Sequence, residues 1–459
     1  MSKPPVIGVI GVGYVGLVSA ACFAELGNQV ICRDIIPEKV ERLREGHVPI
    51  YEPGLSDLVV KNRQRLTFTT DIREVTENAS IIFVCVNTPP MYSGDADLTF
   101  VEAVIAELPD DIGDVVLAMK STVPVGTGER MQALLDARGL GHVRYVSNPE
   151  FLKEGDAIKD FMRPDRVVIG GTDDVAIDRM AQLHAPLETH IVRTDVATAE
   201  MIKAASNAFL ATKISFINEI ANVCEETGAD VTAVAEGMGL DRRIGRHFLN
   251  AGIGFGGSCF GKDVSALKQL AGNSGYHFQI LNAVMEVNEL QKRRLVAKLG
   301  KHLGSLRDKR IALLGLAFKP GTDDMREAAS LIVASRLLAE GAIVRAHDPV
   351  ANEVARPLLR GVEIFDDPLA MLEGVDAAVL ITEWPQYAEL DLVHLASIMN
   401  NPVLIDGRNL FSPEQAQRAG LTYEGIGRPG ATVGNPRRRA DGDASRDAAA
   451  AAAAATTEG

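Results

Sequence analysis

Six residues near the start of the chain, Gly11-Val12-Gly13-Tyr14-Val15-Gly16, constrain its fold more than any other segment. They follow a short apolar run at 6–9 and open an apolar, helix-like stretch at 17–26. A second β-rich run at 29–32 ends at Asp34. On a strand–turn–helix frame such glycines permit a tight turn. They let a pyrophosphate approach the helix N-terminus, where unpaired N–H groups point outward. An acid about 20 residues on is placed to accept hydrogen bonds from an adenosine ribose. Asp34 favours NAD over NADP, because a carboxylate repels a 2′-phosphate. Arg33 beside it could receive that phosphate and pulls the other way. A glycine turn that binds nothing is the plainer alternative; the strand before, the helix after and the acid downstream weigh against it.

Further β-rich runs at 81–86 and 115–119 alternate with helical segments, which predicts a doubly wound parallel sheet. Residues 199–224 contain no Gly or Pro and are rich in Ala, Ile and Leu, so they read as one long helix, with helical segments continuing to about residue 300. A second unit then repeats the first: strand 310–315, helix 328–340, strand 343–346 ending near Asp348, and strands at 376–382 and 402–405. The expected fold is α/β, with two Rossmann-like doubly wound domains joined by a long central helix and a helical middle domain. The expected boundaries are 1–197, 198–300 and 301–427. Residues 428–459 end in an alanine run without apolar variety and read as a disordered tail.

The 459 residues carry a net charge of -14, which argues against nucleic acid or an anionic membrane as partner. An anionic ligand must then be held by helix N-termini or a few placed Lys and Arg. Five cysteines form neither a disulfide framework nor a CxxC pair, so a reducing, cytoplasmic setting is expected. The chain runs from Met1 almost directly into a strand, which leaves no room for a signal peptide, and no apolar stretch is long enough to span a bilayer.

The most informative stretch is Gly252-Ile253-Gly254-Phe255-Gly256-Gly257-Ser258-Cys259-Phe260-Gly261-Lys262-Asp263. Its glycines let the backbone fold tightly and expose N–H groups to an anion. Cys259, with Lys262 near, is a candidate low-pKa thiolate. Cys22, Cys32, Cys85 and Cys224 fit the usual role of buried small hydrophobes. Exchanging an alcohol and a ketone needs no nucleophile. A dinucleotide fold with an activated cysteine therefore points to oxidation at the aldehyde level: thiolate addition, hydride loss, and a thioester left for water.

These motifs resemble the UDP-glucose dehydrogenase family over residues 6–427. The resemblance rests on the Gly11–Gly16 turn, Val86-Asn87-Thr88-Pro89-Pro90, Ser121-Thr122-Val123-Pro124, Asn148-Pro149-Glu150-Phe151-Leu152, Lys203 with Asn207, the cysteine loop, and Phe318-Lys319. It implies Cys259 as nucleophile, Lys203 and Asn207 as stabilisers of the oxyanions, and Thr122, Glu150 and Asp263 in water and proton handling. Glu150 is the expected base of thioester hydrolysis, and Asp263 the residue that orients Lys203 or a water. Lys203 and Asn207 stand four apart and so share a helix face. Read without the resemblance they are an exposed lysine and a helix-packing asparagine; Thr122, Glu150 and Asp263 are then a turn residue, a surface carboxylate and a helix cap. On the cofactor side the resemblance implies Gly11, Gly13, Tyr14, Val15, Gly16, Asp34, Lys39, Thr88, Pro89, Thr122, Glu154 and Arg326.

For the substrate it implies Glu150, Phe151, Leu152, Lys203, Asn207, Asn250, Gly254, Phe255, Gly256, Phe318, Lys319 and Arg408. Arg243 is expected to reach into a neighbouring subunit's site. The second α/β unit would hold UDP; its Gly315-Leu316-Ala317 turn departs from GxGxxG, which agrees. Arg33, Ile36 and Gly261 depart from residues common in the family. The expected activity is the NAD-dependent oxidation of UDP-glucose to UDP-glucuronate in a homodimer or higher homo-oligomer built on the long helix, with no metal. GDP-mannose or another nucleotide sugar is the alternative substrate, and a non-catalytic sensor of NAD and nucleotide sugar the alternative class.

Overall fold

The computed structural model describes residues 5–258 and 260–430. Cys259 and, from residue 431 on, the expected tail lie outside the described residues. Arg428, the first residue of that expected tail, is still tethered: its guanidinium donates to the Phe411 carbonyl at 2.9 Å.

The first sheet has eight strands: β1 (Val6–Ile10), β2 (Gln29–Arg33), β3 (Leu66–Thr69), β4 (Ile81–Val84), β5 (Val116–Met119), β6 (Arg144–Ser147), β7 (Val167–Gly171) and β8 (Ile191–Thr194). Their order is β3-β2-β1-β4-β5-β6-β7-β8. All neighbours are parallel except β6 and β7. The second sheet contains β9 (Arg310–Leu314), β10 (Ile343–His347), β11 (Glu363–Ile364), β12 (Ala377–Leu380), β13 (Val403–Asp406) and β14 (Thr422–Glu424). Its order, β11-β10-β9-β12-β13-β14, repeats that of the first six strands. In each sheet the strand order reverses beside the first strand, and the crevice at that point is where doubly wound folds bind ligands. The strands at the centre are buried on both faces, as parallel sheets sandwiched between helices must be.

The long helix runs over Val196–Thr227, about 48 Å at 1.5 Å per residue. Asp195 caps its start through the Thr198 N–H, and Gly228 ends it in the left-handed conformation. It reaches the first sheet at two glycines. A Cβ on Gly170 would lie 2.4 Å from Ala199 Cβ, and one on Gly128 would lie 2.2 Å from Val196 Cγ1. Only glycine lets the backbones approach so closely. Glu200 secures the contact, accepting the Gly126 and Gly128 N–H groups at 2.8 Å each. This clamp brings the next turns of the helix over the carboxyl ends of β5 and β6. Among the described residues no helix is long and apolar enough to cross a membrane.

Candidate active site

The glycine turn after β1 is built around two close approaches. Gly11 has φ +91°, and a Cβ there would sit 2.7 Å from the Cys85 carbonyl oxygen; a Cβ on Gly16 would sit 1.9 Å from the Gly11 carbonyl oxygen. The helix that follows, Tyr14–Glu25, begins at Gly13 without a capping side chain and has no acid in its first turn. Its first N–H groups are therefore left without a capping side chain, a cradle that fits a pyrophosphate. Tyr14 donates its hydroxyl proton to Glu52, and Glu52 also accepts the N–H groups of Gly155 at 2.6 Å and Ala157 at 2.8 Å. Glu52 carries no motif and the sequence reading passes over it, yet it ties the cradle to residues 155–157.

Asp34 lies at the end of β2 against this turn and accepts the Val12 N–H at 3.0 Å and the Lys39 ammonium at 2.8 Å. Arg33 points elsewhere. Its guanidinium donates to the Thr70 carbonyl at 3.3 Å and pairs with Glu107 at 2.7 Å. The cation beside Asp34 is thus Lys39, and Asp34 already neutralises it. Asp34→Ala should free Lys39 for a 2′-phosphate. The ratio of kcat/KM for NAD over NADP should fall by about one to two orders of magnitude. An unchanged ratio in a folded variant would remove Asp34 from cofactor selection.

At the carboxyl ends of β5 and β6 two buried pairs meet. Lys203 donates to Glu150 Oε1 at 2.9 Å, and both side chains are less than a tenth exposed. One helical turn on, Asn207 Nδ2 donates to Asp263 Oδ2 at 2.6 Å. The other Asp263 oxygen pairs with Lys262 at 2.9 Å, and Lys262 also reaches the Thr88 hydroxyl at 3.3 Å. Thr88 donates in turn to the Thr122 carbonyl at 2.8 Å. The plainer readings of Lys203 as an exposed lysine and Glu150 as a surface carboxylate are therefore not what the fold gives. Asp263 holds Asn207 and Lys262. A narrow cleft lined by Thr122, Lys262, Asp263 and Ala204 runs beside these pairs.

Burial pushes the Glu150 carboxyl up, but the charge and hydrogen bond of Lys203, the Leu152 N–H and the charge of Lys120 outweigh it. The net effect holds Glu150 below the usual carboxylate range. The neighbouring Phe151 ring carries the Arg166 guanidinium at 3.5 Å and the Lys203 ammonium at 5.3 Å.

The glycine loop is fixed from outside its own sequence. Asn218 accepts the Gly252 N–H at 2.8 Å. Asn288 binds both the N–H and the carbonyl of Phe255, at 2.8 and 3.1 Å, in the manner of a β-strand partner. Gly257 donates to the Arg326 carbonyl at 2.9 Å. Gly256 and Gly257 pack so close to Glu327 and the Phe318 ring that a Cβ would fall 2.4 and 2.8 Å from them. The helix Phe260–Asn273 begins one residue after Cys259.

The second unit closes on this loop. Arg408 donates to the carbonyls of Ile381 at 2.9 Å, Gly254 at 3.0 Å and Phe318 at 3.4 Å. It therefore braces the loop against the unit. Lys319 lies 5.4 Å from the Phe318 ring centre. Glu154 accepts the Thr322 hydroxyl at 3.2 Å and lies 3.7 Å from Arg326. Burial first, then the charge of Asp324, push Glu154 up to about 7. Gly155 and Gly321 meet there backbone to backbone.

Arg243 is exposed and pairs with Asp241 at 2.6 Å, and Asn250 is exposed at the start of the loop. Among the described residues, hydrogen bonds tie neither to the cluster around Lys203. In the second unit Gly315, with φ +93°, repeats Gly11, and Asp348 repeats Asp34. Asp348 is spent: it accepts the N–H groups of Leu316 at 2.7 Å, Ala317 at 3.0 Å, Val350 at 3.0 Å and Ala351 at 2.9 Å, and the Trp384 indole at 3.0 Å. It has no acceptor capacity left for a ribose, so this unit is a poor second dinucleotide site.

Three family models match the chain in series. They are the NAD-binding domain of the UDP-glucose/GDP-mannose dehydrogenase family over residues 6–188, its central domain over 197–290 and its UDP-binding domain over 312–413. The chain belongs to the UDP-glucose/GDP-mannose dehydrogenase family. Within it, the chain is 50% identical over 429 residues to the UDP-glucose 6-dehydrogenase TuaD of Bacillus subtilis, covering 92% of this chain and 93% of that one. It is 48% identical to a UDP-glucose 6-dehydrogenase of Pseudomonas aeruginosa, covering 92% and 97%. The solved UDP-glucose dehydrogenase of Pyrobaculum islandicum is 40% identical and superposes with a TM-score of 0.85, over 93% of this chain and 99% of that one. Like other members of the family, the chain is an oxidoreductase whose first domain binds NAD, and its two-sheet architecture is the family's.

Proposed function

We propose that this family member oxidises UDP-glucose to UDP-glucuronate, using two NAD and one water per sugar. The observation that carries the reading is the pairing of Lys203 with Glu150 and of Asn207 with Asp263 on one buried helix face beside the cysteine loop. When bound, NAD accepts the hydride in each of the two oxidations.

The chain's own groups do the rest. Cys259 adds as thiolate to the aldehyde carbon, and the carbonyl oxygen becomes an oxyanion. Lys203 and Asn207 donate to that oxygen; preorganised donors at a developing charge commonly supply the largest single catalytic contribution. Hydride loss leaves a thioester on Cys259. Glu150, already ionised at neutral pH, takes a proton from water as the water adds, and the thiolate departs. Cys259 immediately precedes the Phe260–Asn273 helix in the chain, and a helix N-terminus favours a thiolate over a thiol. Phe318, Lys319 and Arg408 are the groups proposed to face the UDP, and UDP-glucose is preferred over GDP-mannose because it is the substrate named for the relatives of highest identity above.

The same reading includes a homodimer. Phe209, Phe216 and Val223 stand seven residues apart on the long helix and are 65%, 48% and 57% exposed, an apolar stripe at the spacing of a helix–helix seam. Arg243, exposed, paired only with the neighbouring Asp241 among the described residues and outside its own chain's cluster, is then placed to complete a partner's site. The buried thiols of Cys22, Cys32, Cys85 and Cys224 suit a reducing compartment such as the cytoplasm.

The test is NADH absorbance with a panel of nucleotide sugars, quantified against product. UDP-glucose should give the fastest rate and two NADH per sugar consumed. One NADH with a released aldehyde as sole product would overturn the thioester route. Binding without turnover would favour a sensor, and a faster rate with GDP-mannose would reassign the substrate.

A further inference from the structure

Lys120 has no part in the chemistry above, yet it is one of the most deeply buried cations of the first unit, 5% exposed at the end of β5. Its ammonium donates to Asn148 Oδ1 at 3.2 Å. The rings of Phe83 and Phe161 lie 5.5 and 5.9 Å from it. Asn148 is 1% exposed and donates to the Val168 carbonyl at 2.8 Å, so its amide is held on both sides. Lys120 is two residues before Thr122, and Asn148 two residues before Glu150. Their hydrogen bond therefore cross-links the two segments that carry those side chains.

Burying a lysine is costly, and such groups persist where their charge or geometry is used. The titratable groups around it are Cys22, Cys85 and His184 from below, and Lys203 and Glu150 from the site. His184 is held neutral at ordinary pH by burial, with Lys120 adding to the effect, and Cys22 and Cys85 are thiols raised by burial to about 12. Glu150 is thus the ionised carboxylate that Lys120 faces, shared with Lys203.

We propose that Lys120 is a positioning residue for Glu150: through Asn148 it fixes the Asn148-Pro149-Glu150 turn, and its charge stands as the second cation beside the Glu150 carboxylate. Burial pulls the ammonium below the usual lysine value, while Cys85 and Glu150 oppose that pull. The inference rests on Glu150 acting as the base of the hydrolytic step.

The variants are Lys120→Gln, which keeps a hydrogen-bond donor without the charge, and Lys120→Met, which removes both. Losing a positive neighbour raises a carboxyl pKa, so the acid limb of kcat should move to higher pH by about one unit in both. KM for UDP-glucose and NAD should change by less than about two-fold. Lys120→Arg, which keeps the charge, should leave the limb in place. The same shift is read without turnover from the carboxyl 13C resonance of Glu150, assigned by its loss in Glu150→Gln. If the wild type failed to turn over UDP-glucose, the reading above would fail, while the resonance would still decide the role of Lys120. Should neither neutral variant fold, Asn148→Asp places a carboxylate on the Lys120 ammonium and should produce the same upward shift. A folded Lys120→Gln whose acid limb and Glu150 resonance match the wild type would overturn the proposal and leave Lys120 as packing.

Discussion

Cys259→Ala should bind NAD and UDP-glucose as the wild type does and make essentially no uronic acid. Nucleophiles of this kind contribute so much to their reactions that turnover should fall roughly 10^4-fold or more. Cys259→Ser keeps the size and exchanges a good leaving group for a poor one. The serine oxygen can still add to the aldehyde, and hydride loss then yields an ester in place of a thioester. An alkoxide leaves far less readily than a thiolate, so this ester should accumulate and appear as a mass increase of the intact protein. The alanine variant should show no such adduct. The cysteine is framed by a loop that four separate elements hold in place, through Asn218, Asn288, Arg326 and Arg408. A folded alanine variant that still produces the uronic acid near the wild-type rate would reduce Cys259 to a packed loop residue.

Lys203→Met should cost both activity and stability. Removing one donor from a developing oxyanion lowers turnover about 10^2- to 10^3-fold. The stability loss comes from Glu150, whose carboxylate is buried and loses its direct ion-pair partner. Breaking a buried pair from one side costs about 3–5 kcal/mol. The pH dependence gives the mechanism away. In the wild type the Glu150 pKa is depressed, so its contribution is present above the unfolded carboxyl pKa and is lost as pH falls through the folded value. Without Lys203, burial is opposed only by the Leu152 N–H and the charge of Lys120, so the folded pKa rises. The penalty then grows as pH rises, so the variant should lie closest to wild-type stability near pH 5 and furthest below it near pH 8. Thermal unfolding across that range reads it directly. Glu150→Gln added to Lys203→Met should restore much of the stability and none of the turnover. Equal stability of Lys203→Met and wild type at pH 8 would show that the pair contributes nothing to the fold.

The sequence by itself determined what local pattern can carry. The glycine turn, the acid at Asp34 and the uninterrupted helical run near 199–224 are written in neighbouring residues, and all three are where they were expected. The repeat of strand, helix and strand in the second half likewise follows from short apolar runs. Edge strands were harder. β3, β8, β11 and β14 have only two to four residues, several of them charged or polar, so they pair because a neighbouring strand is already there. The antiparallel step from β6 to β7 has no local signature at all.

Only the tertiary structure decided what the site residues face. Helical spacing puts Lys203 and Asn207 on one side, but nothing local says that Glu150, 53 residues earlier, and Asp263, 56 residues later, complete them. Arg33 and Lys39 both stand near Asp34 in the chain. The alternation of side chains along β2 sends Arg33 to Glu107, while the first turn of the Pro37–Arg44 helix brings Lys39 back to Asp34. Charge and spacing in the sequence set which groups can pair, and the crossing of helix over sheet, permitted at Gly128 and Gly170, selects the pairs that form.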